Sequence, residues 1–428
     1  MNTDIANQLR VAKKATTDLN LIQSDTRTII LKTLAANLEK HIENIIQENQ
    51  KDLSLMLEQD PRYDRLLLNK ERILSLANDV RKVASLPNPL GVNLLEKSMP
   101  NGLSIKKITV PLGVIAVIYE SRPNVTIDIF SLCFKSGNVC ILKGGKEAHF
   151  TNSYLLLLIK NTLKNFNINT DIVCLLPPER ALITPLLNAT GLVDLCIPRG
   201  SQNLINFVRD NAKIPVIETG AGIVHTYFDK SGDLEKGKKI INNAKTRRVS
   251  VCNALDTLII HADRLKDLPE LVETLSQKNV IIYADQDAYQ VLDKNYPEQL
   301  LMKAKPQDFG HEFLDYKLAI KTVPNIKAAI DHIQQFSSYH SEAVIAEDES
   351  AIDKFLTEVD AAAVYANAST AFTDGGEFGL GAEIGISTQK VHARGPMGLE
   401  ALTSYKGFCG RTPKSVSSEL SSPPEVLF

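Results

Sequence analysis

Gly113-Val114-Ile115-Ala116-Val117-Ile118 and, after a helix-length gap, Asn138-Val139-Cys140-Ile141-Leu142 are apolar along nearly their whole length. A strand wetted on one face alternates polar with apolar residues, so runs without alternation predict strands covered on both faces. Working outward, the same short signature recurs at Asp171 to Leu175, Val193 to Ile197 and Pro215 to Ile217. Helix candidates Thr151 to Asn165, Glu179 to Asn188 and Ser201 to Asn211 separate these strands. Strand and helix in alternation predict a parallel sheet covered on both faces, a doubly wound nucleotide-binding architecture.

The second half repeats the alternation less regularly. Strands are expected at Leu255 to Ile260, Val280 to Tyr283, Lys317 to Val323 and Ala343 to Ile345, with helices at Asp267 to Gln277 and Asn325 to Phe336. The first hundred residues read as helical instead: Ile30, Leu34, Leu38, Ile42 and Ile45 recur at three- and four-residue spacing and give one apolar face. Two more helical stretches are expected around Leu53 to Glu58 and Glu71 to Ala84, before Leu86-Pro87-Asn88-Pro89-Leu90-Gly91 breaks the pattern. A glycine-rich stretch runs from Asp374 to Gly398, and the Ser/Pro-rich tail PKSVSSELSSPPEVLF predicts a loosely held or partner-paired end.

At 428 residues the chain exceeds the size at which one hydrophobic core keeps growing, so two or three domains are expected. Its 48 basic and 50 acidic residues leave a net charge of -2, without the basic excess of a protein that wraps nucleic acid. The densest apolar run, Tyr154 to Ile159, falls far short of the roughly 18–20 residues that span a bilayer. The N-terminus lacks an apolar signal core, so a cytoplasmic protein is expected. The six cysteines form no CxxC pair and no zinc-type cluster with histidine, so free thiols and no metal are expected.

Chemistry is sought where nucleophile and base types meet glycine loops. Cys252 stands in Thr246-Arg247-Arg248-Val249-Ser250-Val251-Cys252-Asn253, where two arginines supply the positive charge that favours a thiolate. Taken alone, one cysteine among six is best read as a small core residue. Glu218, in Ile217-Glu218-Thr219-Gly220-Ala221-Gly222, ends a strand in a loop whose glycines permit close backbone approach. Taken alone it too reads as an ordinary surface carboxylate.

The Glu-x-Gly-x-Gly loop with a cysteine at the offset of Glu218 to Cys252 resembles the active-site pair of the aldehyde dehydrogenase superfamily. Pro111-Leu112-Gly113-Val114-Ile115 with Gly137 to Lys143 resembles that superfamily's first strand and cofactor lysine. Pro198-Arg199-Gly200-Ser201 resembles the Gly-Ser turn that opens a helix beneath the cofactor pyrophosphate, where unpaired helix N–H groups favour an anion. No GxGxxG fingerprint occurs here, and the superfamily does not use one. Four longer strings fit one branch closely: Tyr119-Glu120-Ser121-Arg122-Pro123-Asn124-Val125-Thr126, Lys143 to Ala148, Phe378 to Thr388, and His392-Ala393-Arg394-Gly395-Pro396-Met397-Gly398-Leu399. They resemble the gamma-glutamyl phosphate reductase family over residues 5 to 412.

The resemblance implies an α/β, aldehyde-dehydrogenase-like fold of two doubly wound domains with a small oligomerisation excursion. The cofactor domain would span 1–222, interrupted near 100–112; the catalytic domain 223–400; and an oligomerisation segment with the tail 401–428. The active site would lie in the cleft between the two domains. The excursion and the last residues would pair at a subunit interface. It implies NADPH as cofactor, L-glutamyl 5-phosphate as substrate, a homo-oligomer, and a transient meeting with glutamate 5-kinase. By the same carry-over Cys252 is the nucleophile and Asn124, with the Cys252 N–H, the oxyanion site. Ser121, Arg122, Arg248 and Arg394 would bind phosphate and the α-carboxylate, since arginine forks match such groups. Lys143, Gly200, Ser201 and Glu312 would hold the cofactor. Glu218, the water-activating base of oxidising relatives, is expected to be structural or a proton relay here, because a reductase must protect its thioester from water. A hydrolytic aldehyde dehydrogenase and an inactive scaffold of the same fold are the rival readings.

Overall fold

The computed structural model describes residues 3–60 and 62–411; the tail from 412 lies outside the described residues. The chain divides into two compact units, one built from residues up to 200 with 207–216 and the segment from 398, the other from 201–206 and 217–397. The main boundary falls at 216/217, ahead of the expected 222/223, so the Glu218 loop belongs with Cys252.

The first unit opens with helices α1 (Thr3–Asn20), α2 (Ser24–Lys40), α3 (Ile42–Leu53), α4 (Tyr63–Leu66) and α5 (Lys70–Ser85). The apolar stripe from Ile30 to Ile45 is carried by two helices, because the chain breaks at His41. Ile30, Leu34 and Leu38 are fully buried, and α2 packs on α5. The expected helix at Leu53 to Glu58 is absent. α3 ends at Leu53; beyond it Met56 packs on Leu53, Leu66 and Ala148, but Leu55 and Leu57 are exposed, so continuing the helix would bury little apolar surface. Asp52 instead holds the start of a later helix through the Phe150 and Thr151 N–H groups.

Strands β1 (Asn93–Ser98) and β2 (Leu103–Pro111) form an antiparallel hairpin. Then come β3 (Val114–Tyr119), α6 (Asn124–Lys135), β4 (Val139–Lys143), α7 (His149–Asn165), β5 (Val173–Leu175), α8 (Ile183–Leu187), β6 (Leu195–Arg199) and α9 (Gln202–Asn211). The sheet runs in the order β5-β4-β3-β6, all parallel. Every residue of β3 and β4 is buried, which is why their sequences lack alternation. The expected strand at Pro215 to Ile217 reduces to a single bridge, Val216 to Cys196. Pro215 has no N–H to give and contributes only its carbonyl, to the Cys196 N–H at 2.8 Å.

The second unit holds β7 (His225–Phe228), α10 (Leu234–Thr246), β8 (Thr257–His261), α11 (Leu268–Ser276), β9 (Ile281–Ala284), α12 (Gln286–Leu292) and β10 (Leu301–Lys303). β11 (Lys317–Val323), α13 (Ile326–Phe336), β12 (Ser341–Ile345), α14 (Glu349–Glu358), β13 (Ala363–Ala366) and the short pair β14 (Ile386–Ser387) and β15 (Gly395–Pro396) complete it. Its seven-stranded sheet has the order β10-β9-β11-β8-β7-β12-β13, again all parallel. Leu258, Ile260, Ile282, Leu318 and Ile320 lie at the centre of its apolar core.

The last described strand, β16 (Thr403–Arg411), returns to the first unit and pairs antiparallel with β2 over its whole length. The excursion and the segment 403–411 therefore pair within one chain, as the sheet β1-β2-β16. All six residues of β1 are exposed, and Leu94, Tyr405 and Phe408 show large apolar surface.

Candidate functional site

In a parallel sheet all carboxyl ends lie along one edge, and loops leaving that edge are where ligands are met. The first unit puts its predicted residues there. Loop 120–123 leaves β3, Lys143 closes β4, and Gly200 follows β6. These are adjacent strands, and the Glu120 N–H donates to the Arg199 carbonyl at 3.2 Å.

Ser121 is buried with φ +43°, a left-handed conformation that costs a non-glycine residue of order 1–3 kcal/mol. One carboxylate oxygen of Glu147 holds it there, accepting the Ser121 N–H and hydroxyl at 2.8 Å each. Arg122 follows on this fixed turn. Asn124 opens α6, and its amide donates to Asp128 at 2.9 Å. One amide N–H of Asn124 is thereby engaged and its second remains for another acceptor. Burial pushes the Asp128 carboxyl up to about 7.

Lys143 is buried, and its ammonium donates to the Gly144 carbonyl at 3.1 Å and the Pro178 carbonyl at 3.0 Å. Burial lowers its pKa. Two of three donors are used, so one N–H is left for a ligand at the sheet edge. Ser201 precedes α9, and its Oγ accepts the Leu204 N–H at 3.4 Å.

The second unit brings Gly222, Cys252 and Glu312 together, with Glu218 on the same loop as Gly222. Cys252 lies in the loop between α10 and β8 and is partly exposed. Gly222 rests against it so closely that a Cβ there would sit 1.6 Å from the Cys252 carbonyl oxygen. Only glycine fits, and the sequence places one there. Glu312 accepts the Gly222 N–H at 2.9 Å, which fixes that backbone from its other side. Glu218 is paired with Gln389: its N–H donates to the Gln389 amide oxygen at 3.2 Å, and the Gln389 amide reaches its carboxylate at 3.4 Å. Thr219 bridges Ser387, so the glycine-rich segment lies along the Glu218 loop.

Of the flanking arginines, Arg247 is engaged with Glu377 at 2.7 Å, while Arg248 is exposed. Arg394 donates to Asp360 at 2.7 Å beside Lys390 on the same carboxylate, which takes up part of its guanidinium. Sequence reasoning missed Glu147 and Gln389. Glu147 lay within a quoted string, whereas Gln389 shows its place only through its contact with Glu218, far apart in the chain.

No family model matches the chain. Curated relatives do. A gamma-glutamyl phosphate reductase of Legionella pneumophila (strain Corby) is 97% identical over 406 residues, covering 95% of this chain and 97% of that protein. One from Pelodictyon phaeoclathratiforme is 56% identical over 95% of this chain and 97% of its own. Among solved structures, the Thermotoga maritima gamma-glutamyl phosphate reductase superposes with TM-score 0.90 at 38% identity, over 95% of this chain and 98% of that one. An acetylating aldehyde dehydrogenase from Geobacillus thermoglucosidasius has TM-score 0.70 at 16% identity over 96% of each chain, a likeness of fold alone.

The Gly222 contact makes one prediction. Gly222→Ala must push the Cys252 loop away, so the alkylation rate of Cys252, followed by peptide mass spectrometry, should change by about tenfold or more while circular dichroism stays native. An unchanged rate would mean the contact does not constrain the cysteine.

Proposed function

The chain belongs to the gamma-glutamyl phosphate reductase family, and we propose that it performs the family's reduction through a thioester on Cys252. The reaction converts L-glutamyl 5-phosphate to L-glutamate 5-semialdehyde and phosphate with NADPH, a step of proline biosynthesis. The observation that carries the proposed role of Cys252 is the Gly222–Cys252–Glu312 arrangement, which fixes the backbone of one partly exposed thiol.

The Cys252 thiolate attacks the acyl carbon, the bond from that carbon to the bridging oxygen breaks, and phosphate leaves with that oxygen and the bonding electrons. NADPH supplies the hydride that reduces the resulting thioester. Collapse of the tetrahedral centre breaks the C–S bond, releases the aldehyde and returns the thiolate. The Cys252 N–H and the Asn124 amide are the proposed donors to the oxyanion. Ser121, Arg122, Arg248 and Arg394 are the proposed partners of the substrate's anionic groups. Lys143, with one N–H left over, and Gly200 and Ser201 at the start of α9 suit the phosphate-bearing half of the cofactor. Glu312, bound through one oxygen to Gly222, keeps the other for the nicotinamide ribose.

Glu218 is proposed as a structural residue. Its hold on Gln389 supports this, since a carboxylate so engaged is poorly placed to activate water. A phosphorolytic enzyme that activated water would hydrolyse its own thioester. The six cysteines stand as thiols, which suits a reducing compartment, in line with a cytoplasmic site of action. We also propose a homo-oligomer, because the β1-β2-β16 sheet carries Leu94, Tyr405 and Phe408 exposed on a narrow ribbon.

The test runs the reaction backwards, with glutamate semialdehyde and NADP⁺, with and without phosphate, following NADPH absorbance. Phosphate-dependent reduction of NADP⁺ is expected, abolished by Cys252→Ala and retained within about tenfold by Glu218→Gln. Equal rates without phosphate would favour the hydrolytic dehydrogenase, and loss of hydride transfer in Glu218→Gln would make Glu218 catalytic. Separately, Tyr405→Asp with Phe408→Asp should reduce the mass measured by light scattering to that of one 47.2 kDa chain. An unaltered mass would place the subunit interface elsewhere.

A further inference from the structure

Three segments that carry proposed site residues converge on Asp256. It follows Cys252 in the nucleophile loop, directly before β8, and is buried. Its Oδ2 accepts the Val224 N–H at 3.3 Å, just beyond Gly222. Its Oδ1 accepts the Phe313 N–H at 3.0 Å, next to Glu312. Its own N–H donates to the Val224 carbonyl at 3.0 Å, and its carbonyl accepts the Ala319 N–H at 2.8 Å. One side chain thus ties the Gly222 segment, the Glu312 segment and the Cys252 loop.

A second buried ionisable group lies at the base of this junction. Lys245, fully buried at the end of α10, donates to the Leu255 carbonyl at 2.9 Å, and its ammonium lies 6.0 Å from the Phe313 ring centre. Burial raises the pKa of Asp256 and lowers that of Lys245, and each charge offsets the shift of the other. Neither group touches the surface, so neither serves a solvent ion pair. A buried carboxylate with two backbone N–H groups and a cation nearby is the arrangement that keeps an anion in the interior.

Nothing but a carboxylate fits the hydrogen-bond pattern. The two oxygens receive two N–H groups from different segments, whereas an amide would turn an NH₂ toward one of them. Releasing Val224 frees the backbone that presses Gly222 on the Cys252 carbonyl; releasing Phe313 frees Glu312 from the Gly222 N–H. We propose that Asp256 is a positioning residue for the reaction, holding the nucleophile loop in register with the Glu218 and Glu312 loops. This rests on the reading of Cys252 as the nucleophile.

Phosphate-dependent NADP⁺ reduction by the full-length protein tests it, with Asp256→Asn, Asp256→Glu and Cys252→Ala side by side. Asp256→Asn should lower kcat about 10–100-fold with KM for the aldehyde changed less than about threefold, because the nucleophile is misplaced and the substrate's charged ends are not. Asp256→Glu, which keeps both acceptor oxygens, should recover at least about tenfold of that loss. A folded Asp256→Asn within about threefold of wild-type kcat, or a Glu variant no better than the Asn one, would overturn the inference. Activity in Cys252→Ala would instead defeat the nucleophile reading beneath it. If the Asn variant does not fold, hydrogen exchange on the wild-type protein decides: the Val224 and Phe313 amides should be protected like those of β8. Exchange at open-loop rates would remove the two bonds on which the proposal stands.

Discussion

The backbone of Gly222 against the Cys252 carbonyl is the constraint on which the second unit's site depends. A nucleophilic thiol must be held to a fraction of an ångström, yet loops are the least rigid part of a fold. The contact solves this by removing space: with no side chain on Gly222, two backbones meet and neither can slide toward the other. Glu312 then fixes the direction of the glycine through its N–H. Glycine is required here for its lack of Cβ, since its backbone is not in the left-handed region.

The first unit uses the opposite device. There the demanding backbone is Ser121, a residue with a side chain held at positive φ. Glu147 offsets the strain by taking both its N–H and its hydroxyl. The side chain cannot be removed without loss, because the hydroxyl is itself one of the two bonds that hold the turn. Parallel sheets make both devices available. Their buried strands end along one edge, so functional loops start from fully packed anchors such as Tyr119 and Lys143 rather than from mobile ground.

The buried strands, the long amphipathic helices and the glycine loops were legible in the chain because each depends on local pattern. β3 and β4 carry unbroken apolar runs, and α7, α11 and α13 form where helices are expected. What failed was decided elsewhere. Pro215 to Ile217 has strand-like residues and no partner ladder beyond one bridge. Leu53 to Glu58 has helix-forming residues, but while Leu53 and Met56 join a small cluster, Leu55 and Leu57 have no apolar surface to cover them. β7, with His225 and Thr226 fully buried, does not read as a core strand, because the group that meets the His225 N–H and ring Nδ1 is Glu342 on β12, far along the chain. The resemblance to a family placed Cys252, Glu218 and Glu312 without showing what joins them.

That difference has a physical origin in the chemistry of positioning. A nucleophile or a phosphate ligand is recognised by its residue type and by a short string around it, since the reacting atoms dictate both. A positioning group is specified by whatever donors its neighbours leave unpaired, and those are defined only once the segments have folded together. Asp256 accepts from Val224 and Phe313 because these two N–H groups lie beyond the reach of the strand ladder. Their demand exists only after β7, β8 and β11 have aligned in parallel. The order of causation runs from sheet register to orphaned donors to a buried carboxylate, and only the last member of that series is written as a residue.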